Sequence, residues 1–203
     1  QLYHSEATGP DRDAKLTPRI AESAKFLWLI YAGLTLICGI SYFLAGMSLF
    51  DAVCHAFSTV AIGGFSTHDL SFQHFELTSI KLVAIFFMIV SGINFALHFS
   101  VLKRRNPFLY LADAEVRTYF LILLLISSFL IIVSHLRESD SDADYIDHLF
   151  QAVSFATTTG FVSSELYLWP PIAQVILILA AFAGGCAGST AGGIKVIRVL
   201  TFW

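Results

Sequence analysis

Four apolar runs dominate this chain, at about 26–45, 79–99, 117–136 and 170–200, the last one interrupted. Each is near the roughly 20 residues that an α-helix needs to cross about 30 Å of hydrocarbon. Two shorter segments lie between the members of each pair, "LFDAVCHAFSTVAIGGFSTHD" at 49–69 and "YIDHLFQAVSFATTTGFVSSE" at 145–165. Each offers a short helix-compatible stretch followed by a glycine-containing stretch, too short to span. Such a segment is tolerated at membrane depth only where it is buried in protein or lines water. Composition agrees: 56% of the residues are hydrophobic and 13% charged, with a mean hydropathy of +0.72. A soluble domain carries about twice that charge, because it must wet its whole surface. The net charge of −3 says nothing of partners, and no basic run suggests nucleic acid. Cys38, Cys54 and Cys186 lie far apart in no metal-ligand spacing, and read as small packed residues. The chain opens on Gln1 and ends at Trp203 within an apolar run, as a piece of a longer protein would.

Sliding the sequence by 96 residues superimposes the two short segments without a gap. Asp51 meets Asp147, Ser58 meets Ser154, and Gly64-Phe65 meets Gly160-Phe161; the register continues through Ile80/Ile176, Phe86/Phe182 and Gly92/Gly188. Apolar matches between membrane helices arise cheaply, so the Asp, Ser and Gly-Phe matches carry the weight. The fold class that follows is an all-α membrane protein of tandem helix–re-entrant pore loop–helix repeats, like a potassium channel. The division is a lead at 1–25, one pore repeat at 26–105 and a second at 106–203.

Lys and Arg concentrate in the lead (Arg12, Lys15, Arg19, Lys25), in the 100–117 connection (Lys103, Arg104, Arg105, Arg117) and near the end (Lys195, Arg198). By the positive-inside tendency these face the cytoplasm, and the loops enter from the opposite side with Lys81 and Arg137. Most carboxylates fall on that outer side, Asp51, Asp69, Glu76, Asp147 and Glu165 among them. They form either a cation-attracting mouth or merely acidic solvated loops.

Asp51 and Asp147 stand where the short helices begin, as N-caps suited to the positive end of the helix dipole. The helices then aim their negative ends into the bilayer. Ile62, Gly63 and Gly64 follow in one copy, and Thr158, Thr159 and Gly160 in the other. Glycine permits a backbone whose carbonyls turn to one side, and rings of such oxygens replace the hydration shell of potassium in selectivity filters. The competing reading is that these glycines let helices pack closely. A third element, 184–193, holds Gly184, Gly185, Gly188, Gly192 and Gly193 with Ser189 and Thr190. Glycine costs up to ~1 kcal/mol per residue in a helix, so an unbroken helix is improbable there, and the stretch is either a gating loop or a small-residue packing face.

"HAFSTVAIGGFSTHD" resembles the second pore loop of the Trk/Ktr/HKT superfamily, closest to the membrane subunit of bacterial Trk-type potassium uptake systems. "QAVSFATTTGF" resembles the third, and "GGCAGSTAGGIKVIR" the interrupted helix after it. The resemblance covers nearly the whole chain and implies the middle two of four repeats around one pore. It implies a non-enzymatic subunit for low-affinity potassium uptake or symport across the bacterial inner membrane, with potassium as substrate and no covalent cofactor. Gly64 and Gly160 match the filter glycines, Ile62, Gly63, Thr158 and Thr159 would supply neighbouring carbonyls, and 184–193 would be the gating loop. The partners implied are the lipid bilayer, a second copy in a homodimer, and a cytoplasmic nucleotide-binding regulatory subunit. A sodium- or mixed-cation-conducting relative is the alternative within the same class. An intramembrane enzyme is the alternative outside it, but no HExxH, GxSxG or paired intramembrane aspartates occur. His68, His74 and His98 read as hydrogen-bonded or interfacial residues, Asn94 as a bond between helices, and Trp28 and Trp169 as interfacial aromatics.

Overall fold

A computed structural model describes residues 20–135 and 145–201. Most of the lead, including Arg12, Lys15 and Arg19, and the acidic connection with Arg137 lie outside the described residues. All regular structure among the described residues is helical. Helix α1 (Ile20–Leu44) leads to α2 (Leu49–Val60), then α3 (Thr78–Ser91) and α4 (Phe95–Arg104). A short α5 (Phe108–Ala112) connects to the second copy of the unit: α6 (Ala114–His135), α7 (Tyr145–Ala156), α8 (Pro171–Ala183) and α9 (Val196–Thr201). Helices α1 and α6 are long and apolar enough to cross a bilayer. The 12-residue α2 and α7 are not, and each packs against the spanning helix before it.

One expectation needs correction. The run 79–99 is not an unbroken span: α3 stops after 14 residues, a length of about 21 Å, and α4 leaves it at 91°. The break is at Gly92-Ile93-Asn94. Among the described residues the Asn94 side chain bonds to no other helix; it accepts from the Ala96 backbone N–H at 2.8 Å and caps α4. In the second copy α8 ends at Ala183 and non-helical chain runs to Lys195, so both units carry a break at the same repeat position.

The start of α2 also differs from expectation. Ser48 is the N-cap, its Oγ accepting from the Asp51 N–H at 3.1 Å and donating to the Asp51 carboxylate at 2.7 Å. Asp51 therefore sits in the first turn, where its charge still faces the positive end of the dipole. Asp147 lies in the first turn of α7.

The core joins the two units. α7 packs on α3 of the first copy as well as on α6 and α8. Phe72, Met88, Phe150 and Phe161 are buried together with Tyr42, whose hydroxyl bonds Thr59 at 2.7 Å. Trp169 is no interfacial residue: it is buried, stacked on His148 with ring centroids 4.6 Å apart. Trp28 is exposed on the outer face of α1.

Candidate functional site: two strained loops and the glycine-rich segment beneath them

Each short helix ends in a backbone that L-residues avoid. Ile62 has φ +54° and Gly64 φ +71°; at the equivalent positions Thr158 has +66° and Gly160 +86°. Positive φ at a β-branched residue is a true outlier, and it costs on the order of 1–3 kcal/mol. Here it occurs twice, at repeat-related positions. Gly63 and Thr159 between them have negative φ, so the handedness alternates along both loops.

The hydrogen bonds explain what holds this conformation. Ala61, Ile62 and Gly63 donate their N–H groups back to Phe57, Thr59 and Ser58 of α2. Thr157, Thr158, Thr159 and Gly160 donate likewise to Val153, Phe155 and Ser154 of α7. Ser154 Oγ adds a bond to the Phe161 carbonyl at 2.7 Å. The donors are thus consumed by the last turn of each helix. The carbonyls of Ile62, Gly63, Gly64, Thr158, Thr159 and Gly160 accept no hydrogen bond among the described residues. Ile62 and Thr159 are buried, the other four partly or fully open on the loops' free side, and buried carbonyls without partners are rare in folded proteins.

The two loops meet. A Cβ placed on Gly64 would lie 2.0 Å from the Thr159 carbonyl oxygen, so only glycine admits this approach. A Cβ on Gly160 would meet nothing within 4 Å.

The third predicted element lies against both loops. Gly192 donates its N–H to Thr158 Oγ1 at 2.7 Å, and Thr190 Oγ1 donates to the Val60 carbonyl, at the end of α2, at 2.8 Å. The segment is pinched at its neck: Gly184 and Gly193 have positive φ, and a Cβ on Gly193 would lie 2.7 Å from the Gly184 Cα. Its middle pairs with the break in the first unit, Cys186 N–H to the Gly92 carbonyl at 2.9 Å and Phe95 N–H to the Gly188 carbonyl at 3.0 Å. Gly185, Ser189 and Gly188 lie within this pinched loop, Ser189 Oγ returning to the Cys186 carbonyl. Lys195, at φ +74°, donates its ammonium to the Ala191 carbonyl.

Two contributors escaped the sequence reading. Glu115, at the start of α6, accepts from the N–H groups of Ala187 at 2.6 Å and Ile197 at 3.2 Å, so one carboxylate oxygen ties together both flanks of the segment. These partners lie far along the chain, and nothing local announces them. Lys81 pairs with Asp147 at 2.7 Å and links α3 of the first unit to the top of α7. The break at Gly92 did have a signal, since Gly92 stands 96 residues before Gly188. Of the histidines, His98 lies between the Tyr110 hydroxyl at 2.7 Å and the Val90 carbonyl at 3.0 Å, and His68 stacks on His74 at 3.7 Å.

A family model described as a cation transport protein, TrkH, matches residues 1–203. The Trk system potassium uptake protein TrkH of Vibrio parahaemolyticus is 47% identical over 205 residues, covering 98% of this chain and 42% of the relative. TrkG of Escherichia coli K12 is 42% identical over 203 residues, covering 98% and 41%. The crystal structure of the potassium transporter TrkH from V. parahaemolyticus superimposes with a TM-score of 0.86 at 43% identity, over 92% of this chain and 41% of that one. The chain spans about two-fifths of the length of the relatives it matches. With these matches over nearly its whole length, the chain belongs to the TrkH family of cation transport proteins.

Proposed function

We propose that this chain is the middle half of a four-repeat pore that conducts potassium across the bacterial inner membrane, with Ile62, Gly63, Gly64, Thr158, Thr159 and Gly160 in its filter. The observation that carries this reading is the paired outlier backbone: donors tied back to the pore helices, carbonyls left without partners. Alternating φ sign turns successive carbonyls toward one side, whereas an extended strand would alternate them. Unpaired carbonyls at the negative ends of two short helices suit a dehydrated monovalent cation. The names of the relatives support potassium as that cation.

The segment Gly184–Gly193 is the gate in this reading. It touches both loops, and its glycine neck lets the backbone between rearrange at small cost, as a bistable element must. The basic connections face the cytoplasm. Family resemblance supports two further parts, a homodimer and a cytoplasmic nucleotide-binding regulatory subunit that acts on the gate.

Rubidium uptake into proteoliposomes tests the proposal in the four-repeat protein. Removing residues 186–191 leaves the glycine neck in place and should raise basal flux. If the segment only packs helices together, flux and thermal stability will fall in step, and the gate assignment is wrong.

A further inference from the structure

Helix α1, the α3–α4 elbow and the start of the second unit enclose a lateral groove of about 1190 Å³. Its walls are Leu29, Gly33 and Ile37 from α1, with Phe86 and Val90 from α3 and Phe120 from α6. The 91° turn into α4 brings Phe99 and Lys103 to the groove's edge. There the Phe99 and Phe26 rings meet tilted at 45° with centroids 5.0 Å apart, and the Lys103 ammonium lies 5.7 Å from the Phe99 ring centre. The lining is almost wholly apolar. Its two uncharged polar side chains, His98 and Tyr110, are spent on each other. Among the described residues the one charge in the lining is Lys103, and Arg104 and Arg105 follow it directly.

Among the described residues no carboxylate lies within ion-pair distance of these three cations. The nearby acids are already engaged: Asp113 caps α6 through the Val116 N–H at 3.0 Å, and Glu115 holds the glycine-rich segment. An apolar trough with an unpaired basic rim asks for a molecule with a long hydrocarbon body and an anionic end. Basic pockets between membrane helices on the cytoplasmic side bind anionic headgroups for this reason.

We propose that this groove binds an anionic phospholipid of the inner leaflet, an acyl chain lying along Leu29, Gly33 and Phe86 and the phosphate at Lys103, Arg104 and Arg105. The proposal rests on the orientation given above, with the 100–117 connection cytoplasmic. A bound lipid would brace the elbow whose break pairs with Gly188, and so couple leaflet composition to the segment beneath the loops.

The test is titration of the purified four-repeat protein in neutral detergent with dioleoylphosphatidylglycerol or dioleoylphosphatidylcholine, read by native mass spectrometry and melting temperature. The expected result is saturable phosphatidylglycerol binding that raises the melting temperature, with no such effect from phosphatidylcholine. Replacing Lys103, Arg104 and Arg105 together by Gln should weaken binding about a hundredfold, roughly fivefold for each charge near the headgroup. Gly33→Trp fills the groove from a position whose Cβ would meet nothing within 4 Å, and should abolish binding with all three charges intact. Equal stabilisation by both lipids, or undiminished binding in Gly33→Trp, would overturn the proposal. So would a dimer whose formation shields Lys103, since a second copy would then be the occupant. Orientation is read separately, by the sidedness of thiol labelling at Arg105→Cys in vesicles. External labelling with intact phosphatidylglycerol binding would refute the orientation and the inner-leaflet assignment while the site itself stands.

Discussion

Phe65 and Phe161 occupy the same position in the two loops, yet Phe161 is fully buried and Phe65 is 82% exposed. Phe161 is packed by Phe72 and His55 of the preceding unit, with ring centroids 4.6 and 6.1 Å away. The glycines differ in the opposite sense: Gly64 is closed over by the Thr159 carbonyl of the following loop, while Gly160 faces open space. Each contact therefore runs in one direction around a ring. A loop leans its phenylalanine on the unit before it and presents its glycine to the carbonyl of the unit after it. In the proposed four-repeat pore, Phe65 and Gly160 would be the two faces that meet the first and fourth repeats.

That asymmetry can be broken experimentally, and the largest effect is expected at glycine. In this chain Gly64→Ala sets a Cβ against a backbone oxygen and adds left-handed strain, about 3–5 kcal/mol together. Gly160→Ala meets no neighbour and should cost only the strain, about 1–2 kcal/mol. Melting of both variants in detergent checks the difference, and equal losses would break the comparison. The phenylalanines come next. Phe161→Ala should cost about 3–5 kcal/mol, and Phe65→Ala at most about 0.5 kcal/mol, as for an exposed site.

The two aspartates sharpen the same contrast with a smaller effect. Asp147 is held by Lys81 of the other unit, both side chains largely buried. Asp51 is held within its own loop by Ser48 and Thr67, the latter at 2.6 Å. Lys81→Met leaves Asp147 without its counter-charge and should cost about 2 kcal/mol, discounted from the fully buried case for residual exposure. Adding Asp147→Leu should recover much of it.

Asp51 supplies the smallest effect and a pH signature. The Thr67 and Ser48 hydroxyls hold its carboxyl below the usual carboxylate range. A depressed folded value means the stabilisation is present above the unfolded value of about 3.9 and is lost as pH falls through the folded one. Asp51→Asn removes that stabilisation, so it should lower the melting temperature slightly at neutral pH, converge with the parent in acid and flatten the acid limb between, which melting scans from acid to neutral would show.

The repeat, the short helices and the three glycine-bearing elements were legible in the sequence because polar residues and glycines keep strict spacing between apolar runs. The broken span was not, because hydropathy registers composition and is blind to helix continuity. "IVSGINFALHF" is still mostly apolar, and only the Gly92/Gly188 register and a helix-capping Asn94 betray the break. Glu115 and Lys81 were illegible for another reason. Their roles exist only once α6 lies beside the glycine-rich segment and α3 beside α7, and no local pattern encodes that adjacency. Trp169 misled through its position beside an apolar run, where burial against His148 and an interfacial site look alike.

The selectivity of Gly160→Ser in the four-repeat protein bears most directly on whether these loops are a filter. The position holds φ +86°, a conformation a side chain resists, so the substitution should turn carbonyls out of the ring. Measured as the ratio of potassium to sodium flux into proteoliposomes, discrimination should fall toward unity while the protein still folds and conducts. A ratio unchanged from the parent, at equal yield and equal melting temperature, would contradict the filter and leave these glycines as packing residues.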